Sequence, residues 1–219
     1  MEHMGTASPA LVSLVDRMTE TTERRNDKRH MTVLRVGKLT GRRGEELCLI
    51  RNISDGGLMA HVYAEHQPAS CVTMEIRNGH VLSGTVAWAR PNRIGVAFDE
   101  RIDVLAFLAN EQEEMIGGMI PRAPRISART GVVVRRGAHY VHARLEDISL
   151  GGAKVTEGEA FDADDDVVLM VQGLPPRAGT IRWRREGRAG IGFNETVPFE
   201  ELAQWVVRHP APVAPMGTS

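Results

Sequence analysis

Two pairs of arginines stand at the same spacing in separate parts of the chain. Arg25 and Arg29 form one RxxxR pair, and Arg125 and Arg129 form the other. Residues four apart lie on the same side of a helical turn or of an extended segment, so each pair presents two guanidinium groups together. A guanidinium binds phosphate oxygens through paired hydrogen bonds and matches the O6 and N7 edge of guanine. A solvated basic turn is the simpler interpretation of either pair taken alone.

A second motif, Asn/Asp-Ile-Ser-x-Gly-Gly, follows each arginine pair and a short apolar segment. Its candidate binding positions are Asn52, Ser54 and Gly57 in one occurrence and Asp147, Ser149 and Gly152 in the other. The first side chain can accept from a guanine edge or hold an arginine, and the serine can donate to a phosphate. The glycine permits a positive φ and close approach of the backbone to a ligand. A turn closed by the Asn, Asp or Ser side chain is the alternative.

The two occurrences belong to an internal repeat. Gly84–Trp88 matches Gly179–Trp183, and Ile94–Phe98 matches Ala189–Phe193, each at an offset of 95 residues. The arginine pairs are offset by 100 residues, so the second copy is shorter by five between its two motifs. Matched blocks in the same order indicate a tandem duplication of a unit of about 90 residues. Both motifs therefore occur together in both copies, which favours a binding role.

Each copy is predicted to be mainly β. Val72, Met74 and Ile76 alternate with polar residues, and Asn78-Gly79 then predicts a hairpin turn. Short strands separated by glycine-rich turns predict a small barrel or sandwich. Trp88 and Trp183 stand in apolar alternation and are predicted to lie in the core.

Helical spacing of apolar residues predicts a helix at the end of each copy, capping one end of its barrel. The residues are Ile102, Leu105, Leu108 and Ala109 in the first copy and Phe199, Leu202, Ala203 and Val206 in the second. An accessory helix is predicted before the first copy, with Ser8 as N-cap and Pro9 in its first turn. The proline-rich end of the chain is predicted to be disordered.

The composition and net charge of the chain argue against several classes of function. The chain has 219 residues, 42% of them apolar and 25% charged, with a formal net charge of −1. A charge so close to zero argues against a partner that is a nucleic-acid polymer or an anionic membrane. No apolar segment is long enough for a membrane span, and the two cysteines form no CxxC, so we expect a cytoplasmic protein. The histidines form no metal-binding pattern, and neither motif serine has a repeated base beside it, so we expect neither a metal site nor catalytic residues.

The joint pattern RxxxR, then [DN]xSxxG, then GxVxW, resembles the PilZ domain family. The resemblance covers residues 24–114 and 122–209. It implies two tandem six-stranded antiparallel β-barrels, each with a C-terminal helix. The predicted division is an N-terminal extension 1–23, a first barrel 24–116, a linker 117–121, a second barrel 122–209 and a disordered tail 210–219.

PilZ domains are bacterial receptors for cyclic di-GMP, a dinucleotide with two guanines and two phosphates. The resemblance implies this ligand, with no further cofactor and with a downstream protein partner of unknown identity. The ligand-binding residues that it implies are Arg24, Arg25, Arg29, Asn52, Ser54 and Gly57 in the first copy and Arg125, Arg129, Asp147, Ser149 and Gly152 in the second.

The second copy departs from the family pattern. Pro124 stands where the first copy has Arg24, and proline offers no guanidinium. The second copy also carries an acidic segment, residues 162–166, which would weaken binding of an anionic ligand if it lay near the site.

We therefore expect a non-enzymatic cyclic di-GMP receptor that signals through its arginine loops and the geometry between its barrels. The alternative is a tandem-barrel adaptor in which one barrel, the second more than the first, or both bind no nucleotide. A flavin-dependent enzyme on a small barrel lacks a catalytic constellation. An RNA-binding barrel is disfavoured because only 5% of residues are aromatic.

Overall fold

Alternation of buried and exposed residues produces most of the secondary structure. The computed structural model describes residues 30–76, 80–107 and 123–211. In them the chain forms two closed antiparallel β-barrels of six strands each. The predicted fold class is confirmed, and the barrel is selected over the sandwich.

The first barrel is built from the first copy of the repeat. Its strands are β1 (His30–Gly41), β2 (Gly44–Ser54), β3 (Gly57–His61), β4 (Cys71–Glu75), β5 (Val81–Arg90) and β6 (Arg93–Phe98). They are hydrogen-bonded in the order β1-β2-β3-β6-β5-β4, and pairing of β4 with β1 closes the barrel.

The second barrel repeats this arrangement. Its strands are β7 (Ile126–Arg136), β8 (His139–Ser149), β9 (Gly152–Thr156), β10 (Asp166–Val171), β11 (Arg177–Arg185) and β12 (Arg188–Phe193). The order is β10-β11-β12-β9-β8-β7, closed by pairing of β10 with β7. A single 3-10 turn spans Gly158–Ala160, and helix α1 spans Phe199–Arg208.

Helix α1 closes one end of the second barrel, as predicted. Its residues Leu202, Ala203, Trp205 and Val206 are buried in the core of that barrel. In the first barrel, residues 104–107 are helical and Val104 is fully buried in the core. The predicted N-terminal helix, Leu108 and Ala109 of the first C-terminal helix, the Asn78-Gly79 turn and the linker fall outside the described residues.

The prediction that Trp88 and Trp183 lie in the barrel cores is wrong. Their side chains are 38% and 36% exposed on the outer surface. A register shift lies between Val86 and Trp88, and another between Ile181 and Trp183. Such a bulge inserts one residue and reverses the alternation, so Val86 and Ile181 point inward and each tryptophan points outward. Each indole then lies flat over a glycine of the neighbouring strand, Gly95 or Gly190, where a Cβ would overlap it.

Strand β2 belongs to the first barrel but also packs against the second. Leu47 is fully buried, and the core cluster that contains it is that of the second barrel. Val36 and Tyr63 of the first barrel pack against the same cluster. The Tyr63 ring meets the Phe199 ring of α1 edge-to-face, with 6.0 Å between centroids. The two barrels therefore share an apolar interface.

The two thiols have opposite environments, which predicts selective labelling. Cys48 is buried, and burial together with the neighbouring Glu46 carboxylate raises the pKa of its thiol, whereas Cys71 is exposed. Because thiolate is the reactive form, we expect maleimide to label Cys71 and to react with Cys48 at least about a hundredfold more slowly. Mass spectrometry of the native protein and of the Cys71→Ser variant measures both rates. Comparable labelling of the variant would contradict the prediction.

Candidate ligand-binding site

The second arginine pair lies on one face of an extended segment at the start of β7. Ile126 and Ala128 are buried in the barrel core, whereas Arg125, Ser127 and Arg129 are exposed. Alternation with period two therefore directs both guanidinium groups outward from the barrel. Of the two geometries that the spacing allowed, the extended one is observed.

Asp147 of the second motif meets this face of β7. Ser127 and Asp147 are cross-strand partners, and Arg125 Nη1 donates a hydrogen bond of 2.5 Å to Asp147 Oδ1. Lys154 Nζ lies 3.0 Å from the other carboxylate oxygen of Asp147. The structure thus brings together Arg125 and Asp147, two residues predicted for one site. It adds Lys154, which the sequence reasoning missed although the residue lies outward on the strand that follows the motif.

A network of alternating positive and negative side chains continues from Lys154 along the outer surface. Lys154 Nζ lies 3.4 Å from Glu146, and Arg188 Nε donates to both oxygens of Glu146 at 2.9 Å. Burial alone would raise the pKa of Glu146, but the hydrogen bonds from Arg188 and Lys154 outweigh it and hold that pKa below its ordinary value. The hydrogen bond to Asp147 raises the pKa of Lys154. With Arg125, Asp147 and Glu186, whose carboxylate lies 4.0 Å from Arg188, the network has three cations and three anions.

Asp147 and Lys154 belong to a row of cross-strand neighbours that ends at an aromatic side chain. Cross-strand pairing runs from Ser127 to Asp147, Lys154, Gly190 and Trp183, across five strands. Trp183 is half-exposed, and the guanidinium carbon of Arg185 lies 5.6 Å from its ring centroid. The outer face of the second barrel therefore carries arginines, a carboxylate, a lysine and an aromatic surface in one band.

The serine and glycine of the second motif close a tight turn. Ser149 Oγ donates to the Gly152 carbonyl at 3.2 Å, and Ser54 Oγ donates to the Gly57 carbonyl at 3.2 Å. Neither glycine uses the positive φ that its residue type permits. Each glycine instead lies against the backbone of the next strand, where a Cβ would overlap the carbonyl oxygen of Ile191 or Val96. The turn interpretation thus accounts for the contacts of these four residues.

The first barrel has an equivalent row of cross-strand neighbours, but the side chains differ at two positions. Arg24, Arg25 and Arg29 lie outside the described residues. Pairing runs from Thr32 to Asn52, Met59, Gly95 and Trp88, the last with the Arg90 guanidinium 5.5 Å from its ring. The first barrel thus has Asn52 and Met59 where the second has Asp147 and Lys154.

The second copy is five residues shorter between its two motifs, and the strand pairing shows where this difference lies. Ser127, inside the second arginine pair, and Thr32 occupy equivalent places in the two ladders. The first arginine pair therefore precedes the matching position by several residues along the chain.

The acidic segment of the second copy lies at the other end of β7. Arg136 Nη1 is 2.8 Å from Asp165, and Arg184 Nη2 is 3.5 Å from Asp162. Arg136 is eleven residues beyond Arg125, roughly 35 Å along a strand. At several Debye lengths, these carboxylates exert little field at the arginine pair.

The candidate site is an open surface. One cavity on the second barrel, of about 280 Å³, is lined by residues that include Val133, His142 and Met170. Another, of about 220 Å³, is lined by residues that include Arg185, the arginine that lies over Trp183. Across residues 30–76, 80–107 and 123–211, no cluster of three His, Cys, Asp or Glu side chains is arranged to hold a metal ion. In the same ranges no helix has the length and apolar character needed to traverse a bilayer.

Solved structures similar to this chain include three bacterial proteins. The Borreliella burgdorferi PlzA protein in complex with c-di-GMP is 13% identical with a TM-score of 0.38, over 88% of this chain and 99% of that one. YcgR from Escherichia coli in complex with c-di-GMP is 15% identical with a TM-score of 0.32, over 92% and 89%. The Bacillus subtilis inhibitor of motility MotI/DgrA is 12% identical with a TM-score of 0.31, over 81% and 97%.

A comparison with curated proteins gave no match. The family model of the PilZ domain matches the chain twice, at residues 23–110 and 121–208. These ranges contain both arginine pairs, both Asn/Asp-Ser-Gly motifs and both barrels. The chain therefore belongs to the PilZ domain family and carries two PilZ domains in tandem.

Proposed function

We propose that this protein is a receptor for cyclic di-GMP, with one site on each barrel, and that it acts by binding rather than by catalysis. The observation that carries the proposal is the arrangement on the second barrel. Arg125 and Arg129 lie exposed on one face of β7, and Asp147 holds Arg125 there through a 2.5 Å hydrogen bond. The two PilZ domains of the chain support the same ligand.

The chemistry of the band suits a dinucleotide. Cyclic di-GMP carries two phosphates, and two outward guanidinium groups supply paired donors for their oxygens. Arg125 uses one N–H on Asp147 and keeps further donors for a ligand. Arg185, whose guanidinium lies over the half-exposed Trp183 ring, adds a further cationic donor to the band.

The signal is proposed to be a change in the arginine motifs and in the contact between barrels. Strand β2 carries Asn52 and Ser54 of the first site and inserts Leu47 into the core of the second barrel. A ligand that alters the end of β2 therefore acts on the shared interface. A downstream protein that binds one arrangement of the barrels better than the other would complete the pathway.

The alternative, an adaptor whose second barrel binds no nucleotide, is supported by two observations. Pro124, which replaces an arginine of the first copy, is buried. Arg125 is already neutralised by Asp147, so a ligand must compete with an internal ion pair.

Isothermal titration with cyclic di-GMP tests both proposals. We expect the wild type to bind at two sites, and Arg125→Ala/Arg129→Ala and Arg25→Ala/Arg29→Ala each to lose one. Loss of two paired contacts weakens a site roughly a hundredfold. Arg135→Ala/Arg208→Ala, which removes two exposed arginines of the same barrel outside the motif, is the matched control.

The outcomes separate the functions. If only Arg25→Ala/Arg29→Ala changes the titration, the second barrel is an adaptor. A folded wild type that takes up no ligand at micromolar concentration would refute the receptor proposal.

A further inference from the structure

A carboxylate of the first barrel contacts the arginine motif of the second. The Glu45 Oε2 atom accepts a hydrogen bond of 2.7 Å from the backbone N–H of Ser127. Ser127 stands midway between Arg125 and Arg129 on the exposed face of β7. The contact joins residues 82 apart in the chain and crosses from one barrel to the other.

The first barrel holds Glu45 firmly in this place. Glu45 and Leu47 lie two apart on β2 and so share its outer face, and Leu47 is anchored in the core of the second barrel. Lys38 Nζ lies 3.4 Å from Glu45 Oε1 and 2.8 Å from Glu75. The carboxylate is thus contacted on one side by Lys38, which it shares with Glu75, and on the other by the Ser127 N–H.

The backbone that receives Glu45 lies on an open edge of the second barrel. Strand β7 pairs with β8 from Ile126 to Arg136 but with β10 only from Val132 to Arg135. Among the strands of residues 30–76, 80–107 and 123–211, the segment that carries the arginines therefore pairs on one side only, and a register shift follows Ser127 within it. An N–H on such an edge that the ladder leaves unpaired needs another acceptor.

We infer that Glu45 is a positioning residue of the second ligand site, which the first barrel thereby completes. This inference rests on the proposed function for the identity of the ligand. The hydrogen bond from Ser127 fixes the edge of β7 between the two arginines, so both guanidinium groups meet the ligand without a prior ordering step. Glu45 acts as an acceptor, and its charge is dispensable because Lys38 keeps its closer partner, Glu75, when residue 45 is neutral.

The test uses the full chain with Arg25→Ala/Arg29→Ala, so that cyclic di-GMP titrates the second site alone. In this background we expect Glu45→Ala to weaken binding roughly tenfold, because it removes the acceptor and leaves the Ser127 N–H unsatisfied. Glu45→Gln keeps an acceptor and is expected to stay within about twofold of the background. Glu75→Ala is the matched control, because it removes a carboxylate that also pairs with Lys38 but does not contact Ser127.

Amide hydrogen exchange of Ser127, followed by NMR without ligand, gives an independent readout. We expect exchange to accelerate at least about tenfold in Glu45→Ala and to stay unchanged in Glu45→Gln and Glu75→Ala. Equal affinities in Glu45→Ala and the background, or equal losses in Glu45→Ala and either other variant, would overturn the inference.

Failure of the proposed function gives a different result. If the background protein binds no cyclic di-GMP, the second site is no receptor, and the exchange rates alone decide the role of Glu45. Acceleration confined to Glu45→Ala then supports positioning of the motif, and an unchanged rate overturns it.

Discussion

Replacing Gly152 by alanine is expected to destabilise the second barrel by about 3 kcal/mol, as overpacking of a rigid site does. A Cβ at this position would overlap the backbone carbonyl oxygen of Ile191. Gly152 pairs with Gly192 in the β9–β12 ladder, so the obstacle is a strand that cannot move without losing its hydrogen bonds. Urea unfolding followed by circular dichroism should show a midpoint lower by roughly 1–2 M.

Gly151 is the matched control for this substitution. It precedes Gly152 in the same turn, and a Cβ there would meet nothing within 4 Å. We expect Gly151→Ala to change the unfolding free energy by less than about 0.5 kcal/mol. If Gly152→Ala kept the wild-type midpoint and lost only ligand binding, the glycine would serve the ligand rather than the packing of β9 on β12.

Replacing Trp205 by alanine is expected to cost about 4 kcal/mol, within the range for truncation of a large core aromatic. The side chain is 1% exposed, and its Nε1 donates a hydrogen bond of 2.8 Å to the Gln172 carbonyl. Truncation leaves a cavity where α1 closes the barrel and removes the donor from a partly buried carbonyl. The unfolding midpoint in urea again measures the loss.

Trp183→Ala provides the comparison within the same barrel. This tryptophan is 36% exposed and lies on the outer surface over Gly190. We expect its truncation to cost about 1 kcal/mol, because less apolar area leaves contact with the protein. Equal costs for the two tryptophans would contradict the assignment of one to the core and the other to the surface.

Much of this architecture could be predicted because its determinants are local and repeated. The spacing of Leu202, Ala203 and Val206 predicted α1, and the alternation of Val72, Met74 and Ile76 predicted an antiparallel strand. The motif also allowed Asp147 to hold an arginine, as one of two roles, and the structure pairs it with Arg125. The duplication strengthens such predictions, because the sequence specifies each element twice.

The positions of the two tryptophans could not be predicted because a β-bulge is invisible to period-two alternation. One inserted residue before Trp88 and one before Trp183 moves each side chain from the core to the surface. Lys154 and Glu45 were missed for another reason. Their roles depend on which strands become neighbours, and for Glu45 on how one barrel packs against the other.

The placement of Leu47 has a consequence for how such a gene can evolve. One repeat supplies a fully buried side chain to the hydrophobic core of the other. A deletion or recombination event that separated the copies would expose this leucine on one fragment and leave a hole in the other. Although the copies are alike in fold, they are no longer interchangeable modules, and selection acts on them as one inherited unit.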